Sequence, residues 1–257
     1  MKGSVLVTGG ARRIGLAICE ALSARGWRVL AHSRDPLNPL CADFTRPGAV
    51  ERLFAAAMAL APDLRAVVNS AAVFSTAAEL PPEEAAAMRA VNVEAPVRLV
   101  ELLAAHLAAR RATGAAVNLL DTRVMGGWGD YRDHRDLRDH RDLRECQHAS
   151  GHDACVEGRS CSFLKSFAPS PYAASKLALA RATVAQARSL APALRVNGVA
   201  PGPVLPPVDA ANREKGGPIL LPRRPTPADV AAAVAFLLEA DAVTGQILAV
   251  DSGQSLV

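Results

Sequence analysis

Short apolar runs and longer stretches with helical spacing take turns along most of this chain. "GSVLVT", "WRVLAHS", "LRAVVNSAA", "GAAVNLLD", "LRVNGVAPG" and "GQILAVDSG" read as strands. Between them lie "ARRIGLAICEALSARG", "GAVERLFAAAMALA", a long Ala-rich stretch from about Pro82 to Arg110, "PYAASKLALARATVAQARSLA" and "TPADVAAAVAFLLE". In the first of these, Ile14, Ala17, Ile18, Ala21 and Leu22 recur at the spacing of one helix face. Strands that are apolar throughout and alternate with helices belong in a parallel sheet covered on both faces. The expected fold is therefore an α/β, doubly wound, parallel Rossmann-type sheet, built as a single domain over 1–257.

Composition agrees with one such unit. At 257 residues, 50% hydrophobic and 21% charged, the chain can bury a full core. The apolar run Ser4–Thr8 is too short for a signal-peptide core or a membrane span, so the expectation is a cytoplasmic protein with no membrane partner. Five cysteines, an odd number, then predict reduced thiols. A net charge of +4 without a Lys/Arg block gives no support to nucleic-acid binding.

From about 127 to 168 the alternation stops. "RDHRDLRDHRDL" repeats one hexapeptide, and Leu137 and Leu143 lie too far out of phase to share a helical stripe. Opposite charges nearly cancel there, and few apolar side chains are present to offset ordering entropy, so a polar low-complexity insertion is expected. Cys146, His148, His152, Cys155 and Cys161 gather soft metal ligands, but without the paired Cys-x2-Cys spacing of a zinc ribbon. No metal site is assigned.

The chemistry lies on either side of that segment. "TGGARRIG", Thr8 to Gly15, ends a strand, turns on glycine and opens a helix, leaving free N–H groups and a positive dipole end suited to a pyrophosphate. In "YAASK", Tyr172 and Lys176 stand four residues apart and share a helix face. A nearby ammonium is expected to pull the phenol's pKa down from about 10, making Tyr172 a general acid.

With "NSAA" at Asn69, "AVNVEAP" around Asn92 and "VAPGPV" ahead of Val204, the chain resembles the short-chain dehydrogenase/reductase family along nearly its whole length outside the insertion. The resemblance implies an enzyme in which Tyr172 gives a proton as hydride arrives. It implies that Lys176 holds the nicotinamide ribose and Asn92 orders a relay water. It places Thr8, Gly9, Arg12, Arg13, Ile14, Gly15, Asn69, Ala71, Pro201, Gly202 and Val204 on the cofactor. Asp43, after a short third strand, is placed at the adenine, and Phe44 is placed on the cofactor.

Where the family has a serine ahead of the tyrosine, this chain has Asp121. A carboxylate accepts hydrogen bonds and donates none unless protonated, and an ionised one beside Tyr172 raises the phenol's pKa, against Lys176. A substrate carrying N–H donors reconciles these facts. Arg13 in place of the middle glycine, and Phe74 after "NSAAV", resemble the pteridine reductase and dihydromonapterin reductase branch, where the arginine reaches phosphate and substrate and the ring stacks on the pterin. His32, Ser33 and Arg34 after the second strand offer donors for a 2′-phosphate, which favours NADPH over NADH.

The expected activity is NADPH-dependent reduction of a pterin-like small molecule. The alternatives are a ketone or 3-oxoacyl thioester reductase, and a non-catalytic dinucleotide-binding protein disabled by the insertion. The resemblance further implies a homo-oligomer, tetramer or dimer, packed through the helices near 83–110 and 171–190, with the segment after Val204 as a substrate lid.

Overall fold

The computed structural model describes residues 2–125, 170–204 and 217–257. In chain order the elements are β1 (Ser4–Thr8), α1 (Arg13–Ala24), β2 (Arg28–Ala31), α2 (Ala49–Leu60), β3 (Leu64–Asn69), α3 (Pro82–Arg89) and α4 (Ala95–Ala109). They continue with β4 (Gly114–Leu119), a 3₁₀ turn (Thr122–Val124), α5 (Pro171–Ser189), β5 (Leu194–Pro201), α6 (Pro227–Glu239) and β6 (Ile247–Val250). The repeat, its cysteines and histidines, and most of the segment expected to form a lid lie outside the described residues.

The strands form one parallel sheet in the order β2-β1-β3-β4-β5-β6, the doubly wound Rossmann-type arrangement. Alternate residues of each central strand face opposite layers. Leu6, Val67 and Ala116 pack on one side against Leu53 and Phe54 of α2 and Leu99, Leu103 and Leu107 of α4. Val5, Val7, Val68 and Val117 pack on the other against Ile18 and Leu22 of α1 and Val230 and Val234 of α6. With both faces covered, the strands carry no polar stripe, as their sequences predict.

Two elements differ from the sequence reading. The long helix expected from about Pro82 to Arg110 is interrupted by a π turn at Ala90–Glu94, where the Ala95 N–H bonds to the Ala90 carbonyl five residues back. Pro96 lies just beyond. It has no N–H for the Asn92 carbonyl four residues earlier, and its ring would press on that carbonyl in a regular helix, which accounts for the widened turn. The short third strand is reduced to an isolated bridge between Ser33 and Cys41, because Pro36 and Pro39 interrupt any ladder there.

The sheet reverses its winding at β1 and β3, which opens a crevice beyond their carboxyl ends. Gly9, at φ +65°, brings the chain to within contact of Ala71 on the far wall, and a Cβ at Gly15 would sit 2.1 Å from the Gly9 carbonyl oxygen. That collision is with backbone and has no rotamer to relieve it. Gly15→Ala is expected to cost about 1–3 kcal/mol as overpacking, lowering the melting temperature by several degrees. Circular dichroism melts check this, and an unchanged midpoint would mean that the turn is looser than described.

Candidate active site

The carboxyl ends of β1, β3, β4 and β5 supply the walls of one cleft, and the first turn of α5 supplies its working side chains. Ser170 caps α5 by accepting from the Ala173 N–H, and Pro171 opens the helix, so Tyr172 sits at the helix mouth with Lys176 one turn deeper. Tyr172 is 7% exposed and Lys176 3%. The Tyr172 hydroxyl donates to Asp121 Oδ2 at 3.3 Å, a long contact for an O–H donor. Lys176 Nζ donates to the Leu119 carbonyl at 2.8 Å and lies 5.8 Å from the centre of the Tyr172 ring.

This geometry reverses one expectation. The phenol's pKa is pushed up, chiefly by burial and then by the charge of Asp121, with Arg123 pulling it back in part. Lys176 points to a backbone carbonyl and has itself been pushed down to about 8 by burial, partly offset by Asp121. Of the two opposed influences read from the sequence, the carboxylate prevails over the ammonium.

Asn92 is buried and its side chain is bonded at both ends. Its Oδ1 accepts from the Val73 N–H at 2.8 Å, and its Nδ2 donates to the Val73 carbonyl at 2.9 Å and to Ser175 Oγ at 3.0 Å. Ser175 in turn donates to the Tyr172 carbonyl at 2.7 Å. The π turn thus fastens the loop carrying Phe74 to the helix carrying Tyr172. Both amide N–H donors of Asn92 are thereby engaged, while Oδ1 takes one bond.

Phe74 is 48% exposed and meets Tyr172 edge to face, with ring centres 4.8 Å apart. It is a wall of the cleft and not a core side chain. Arg123, which the sequence reading missed, stands over both rings with its guanidinium carbon 5.6 Å from each centre, and its Nη1 lies 3.6 Å from Asp121 Oδ2. The signal was present in "DTR": an aspartate that caps a tight turn returns the residue two places on to its own side. Asp121 Oδ1 does accept from the Arg123 backbone N–H, at 2.9 Å.

At the other end of the crevice the structure revises several assignments. His32 is 2% exposed: Nδ1 accepts from the Gly9 N–H at 3.2 Å, which leaves the ring proton on Nε2 to bond the Ala42 carbonyl at 3.0 Å. With both nitrogens used, His32 shapes the glycine turn from behind and does not reach a 2′-phosphate. Phe44 stacks on His32 at 4.7 Å and belongs to the core. Asn69 is buried, donating to the Pro96 carbonyl and to Asn118. The Thr8 hydroxyl accepts from the Ser70 and Ala71 N–H groups and closes the crevice wall.

Arg12, Arg13 and Arg34 are exposed around the turn, and Ser33 Oγ accepts from the Asp35 N–H. Arg13 takes φ +54°, a left-handed conformation costly for a residue with a Cβ and found mostly where function holds it. Ile14 packs against the core behind the turn. Asp43 keeps one oxygen on Thr45, beside a cavity of about 580 Å³ that Arg34, Arg46 and Arg52 also line, well away from Tyr172. At the end of β5, a Cβ on Gly202 would press on Asp251, while Val204 packs against the α1 and α6 layer. Bare glycines at Gly9 and Gly15, amides at a helix mouth and a rim of arginines fit a dinucleotide. Among the described residues no cluster of His, Cys, Asp or Glu could hold a metal, and no helix is long and apolar enough to cross a membrane.

The His32 ring links this turn to pH. Burial pushes its pKa below the usual 6.5, so the unfolded chain takes up a proton first as pH falls. Stability conferred by the neutral ring is complete above about pH 6.5 and is lost as pH drops below it. Wild-type melting temperatures are expected to fall from pH 7 to pH 5, whereas His32→Gln should melt lower at pH 7 and vary less. Equal slopes for the two chains would remove His32 from this account.

Comparison with known proteins agrees with the geometry. Residues 3–122 match the family described as short chain dehydrogenase, and residues 163–255 match that described as enoyl-(acyl carrier protein) reductase. The short-chain dehydrogenase/reductase homolog YusR of Bacillus subtilis is 44% identical over 90 residues, covering 34% of this chain and 70% of that protein. Dihydromonapterin reductase of Enterobacter sp. is 27% identical over an alignment of 272 positions, 98% of this chain and 96% of the relative. FolM alternative dihydrofolate reductase 1 of Brucella canis, solved in complex with NADP, superposes with a TM-score of 0.73 at 28% identity, covering 99% of this chain and 94% of that one. The Brucella suis protein, also with NADP, gives 0.71 at 28% identity, covering 99% and 96%. Fold, crevice and sequence together place this chain in the short-chain dehydrogenase/reductase family of oxidoreductases.

Proposed function

We propose that this chain is an NADPH-dependent reductase of a flat, N–H-bearing heterocycle of the pterin type. The observation that carries this reading is Asp121, a carboxylate in the serine's place, facing the Tyr172 hydroxyl beside the exposed ring of Phe74. A carboxylate there repels a bare carbonyl oxygen and accepts from a ring N–H or a protonated ring nitrogen. Phe74 supplies a flat wall, and stacking on it is worth about 0.5–1.5 kcal/mol beyond area burial. The likeness to a dihydromonapterin reductase and to two FolM reductases supports the same substrate class.

The cofactor choice rests on charge. Arg12, Arg13 and Arg34 ring the turn, and guanidinium groups suit a 2′-phosphate better than a ribose diol. When bound, the reduced nicotinamide supplies hydride to the carbon of a C=N bond. The chain's own residues manage the proton that the nitrogen then needs. Tyr172, its pKa held up by burial and by Asp121, keeps its proton at neutral pH and is the donor within the cleft. Lys176, pushed down to about 8, carries charge at neutral pH and can exchange a proton near it. The Asn92 and Ser175 bonds hold the tyrosine against drift while this happens. The same family membership supports a homo-oligomer packed through α4 and α5, which sedimentation would establish.

The test is turnover. Wild type is expected to oxidise NADPH with a dihydropterin and not with an acetoacetyl thioester. Tyr172→Phe should lower kcat by about 10²–10⁴-fold with the cofactor still bound. Asp121→Ser should lose pterin turnover and gain on the ketone. Thioester reduction by the wild type, with no action on any pterin, would overturn the substrate assignment.

A further inference from the structure

The cavity of about 580 Å³ noted beside Asp43 lies between the segment that follows β2 and the first turns of α2. Its size falls within the roughly 300–1,000 Å³ of small-molecule sites. Leu40 and Leu53, both buried, give it an apolar lining, and Arg34, Arg46 and Arg52 border it. Of the residues expected on the cofactor only Arg34 and Asp43 do so, while Thr8, Gly9, Gly15 and Ala71, the walls of the crevice, do not. The cavity is therefore apart from the dinucleotide crevice and meets it at one corner.

The loop 43–48 holds two of these arginines. Arg52 Nη2 donates to the Pro47 carbonyl at 3.1 Å, and a Cβ on Gly48 would stand 2.9 Å from Arg52 Nη1, so the glycine leaves room for the guanidinium. Arg46 Nε lies 4.0 Å from Asp43 Oδ2, and Asp43 is itself fixed by Thr45, whose N–H and hydroxyl both donate to Oδ1. Those Thr45 bonds, with Arg34 and Arg46 adding to them, hold the Asp43 carboxyl below its usual range, so it stays ionised. Three guanidinium charges against that one carboxylate leave a surplus of two positive charges. Glu51, next to Arg52 in sequence, pairs with Arg98 at 2.9 Å instead. Among the described residues neither Arg34 nor Arg52 has a carboxylate within ion-pair distance.

We propose that this cavity binds a small phosphate monoester with an apolar body. Such an ester carries about −1.5 to −2 charge at neutral pH and offers three acceptor oxygens. Its charge matches the surplus, and guanidinium forks suit its geometry. The apolar body meets the leucines, which an inorganic anion would leave uncovered. Neither Tyr172 nor Asp121 borders the cavity, so this site does not depend on the reductase reading.

The experiment titrates the full chain with 1-naphthyl phosphate by calorimetry, with and without NADP⁺, and with inorganic phosphate and 1-naphthol as comparisons. Naphthyl phosphate is expected to bind one site equally well in both conditions, and the two comparison compounds far more weakly. Arg46→Gln and Arg52→Gln should each weaken it about tenfold, the size of one charged hydrogen bond, and should change NADP⁺ affinity by less than about twofold, as expected of separate sites. Both side chains are exposed, so the variants keep the fold. Arg52→Lys, which keeps the charge but not the fork, should fall between wild type and Arg52→Gln. Cys41, an exposed thiol on the cavity, reports the location: its alkylation, followed by peptide mass spectrometry, should slow severalfold when the probe is bound. Competition with NADP⁺, equal binding of inorganic phosphate, indifference to both glutamine variants, or unslowed alkylation of Cys41 would each overturn the proposal. The two readings fail separately, because pterin turnover is measured at Tyr172 and this binding at Arg46, Arg52 and Cys41.

Discussion

One forked hydrogen bond sets the geometry on which the cleft depends. The Thr8 hydroxyl, at the end of β1, accepts from both the Ser70 and Ala71 N–H groups at the end of β3. Those strands pair in the sheet as far as Thr8 and Asn69, and the winding reverses between them. The bond draws Ala71 against Gly9, where only a glycine fits. His32 supports the same turn from behind, through its ring to the Gly9 N–H and through its backbone carbonyl to the Gly10 N–H at 2.9 Å. A hydroxyl, an imidazole and two bare Cα atoms thus create a helix mouth that can receive phosphates.

A second balance governs the catalytic end. Tyr172 and Lys176 are both nearly removed from water, and burial disfavours the charged form of each, raising one pKa and lowering the other. Asp121 reinforces the first shift and resists the second, and the two groups, whose ordinary pKa values lie close together, are driven apart. The outcome is a phenol that stays protonated next to an ammonium that is easily neutralised. Burial and the nearby carboxylate thus hold the proton on the phenol, while burial alone loosens the proton on the lysine.

Much of this was legible in the sequence. The strand and helix order, the glycine turn and the Tyr172–Lys176 pair follow from periodicity and side-chain chemistry, which act locally, and the anomaly of Asp121 from the resemblance to the family. What sequence could not supply was direction. His32 sits at the end of β2 next to two exposed polar residues, and only the three-dimensional arrangement shows its ring turned inward to Gly9 and Ala42. Phe44 follows it inward, and Phe74, equally apolar, turns outward. Lys176 has the spacing to face the phenol, but a long flexible stem let it choose the Leu119 carbonyl. Arg123 went unnoticed because its importance comes from a three-residue turn that no periodicity marks.

The widened turn at Ala90–Glu94 opposes robustness to function. A single-residue deletion within it, combined with replacement of Pro96, would restore ordinary helical register and a more regular backbone. It would also rotate everything on one side by about 100°, swinging the Asn92 amide away from Val73 and Ser175. The loop bearing Phe74 and the helix bearing Tyr172 would then lose their common anchor. A better helix would make a worse enzyme, so this irregularity is a place where selection for stability alone would erase the active site.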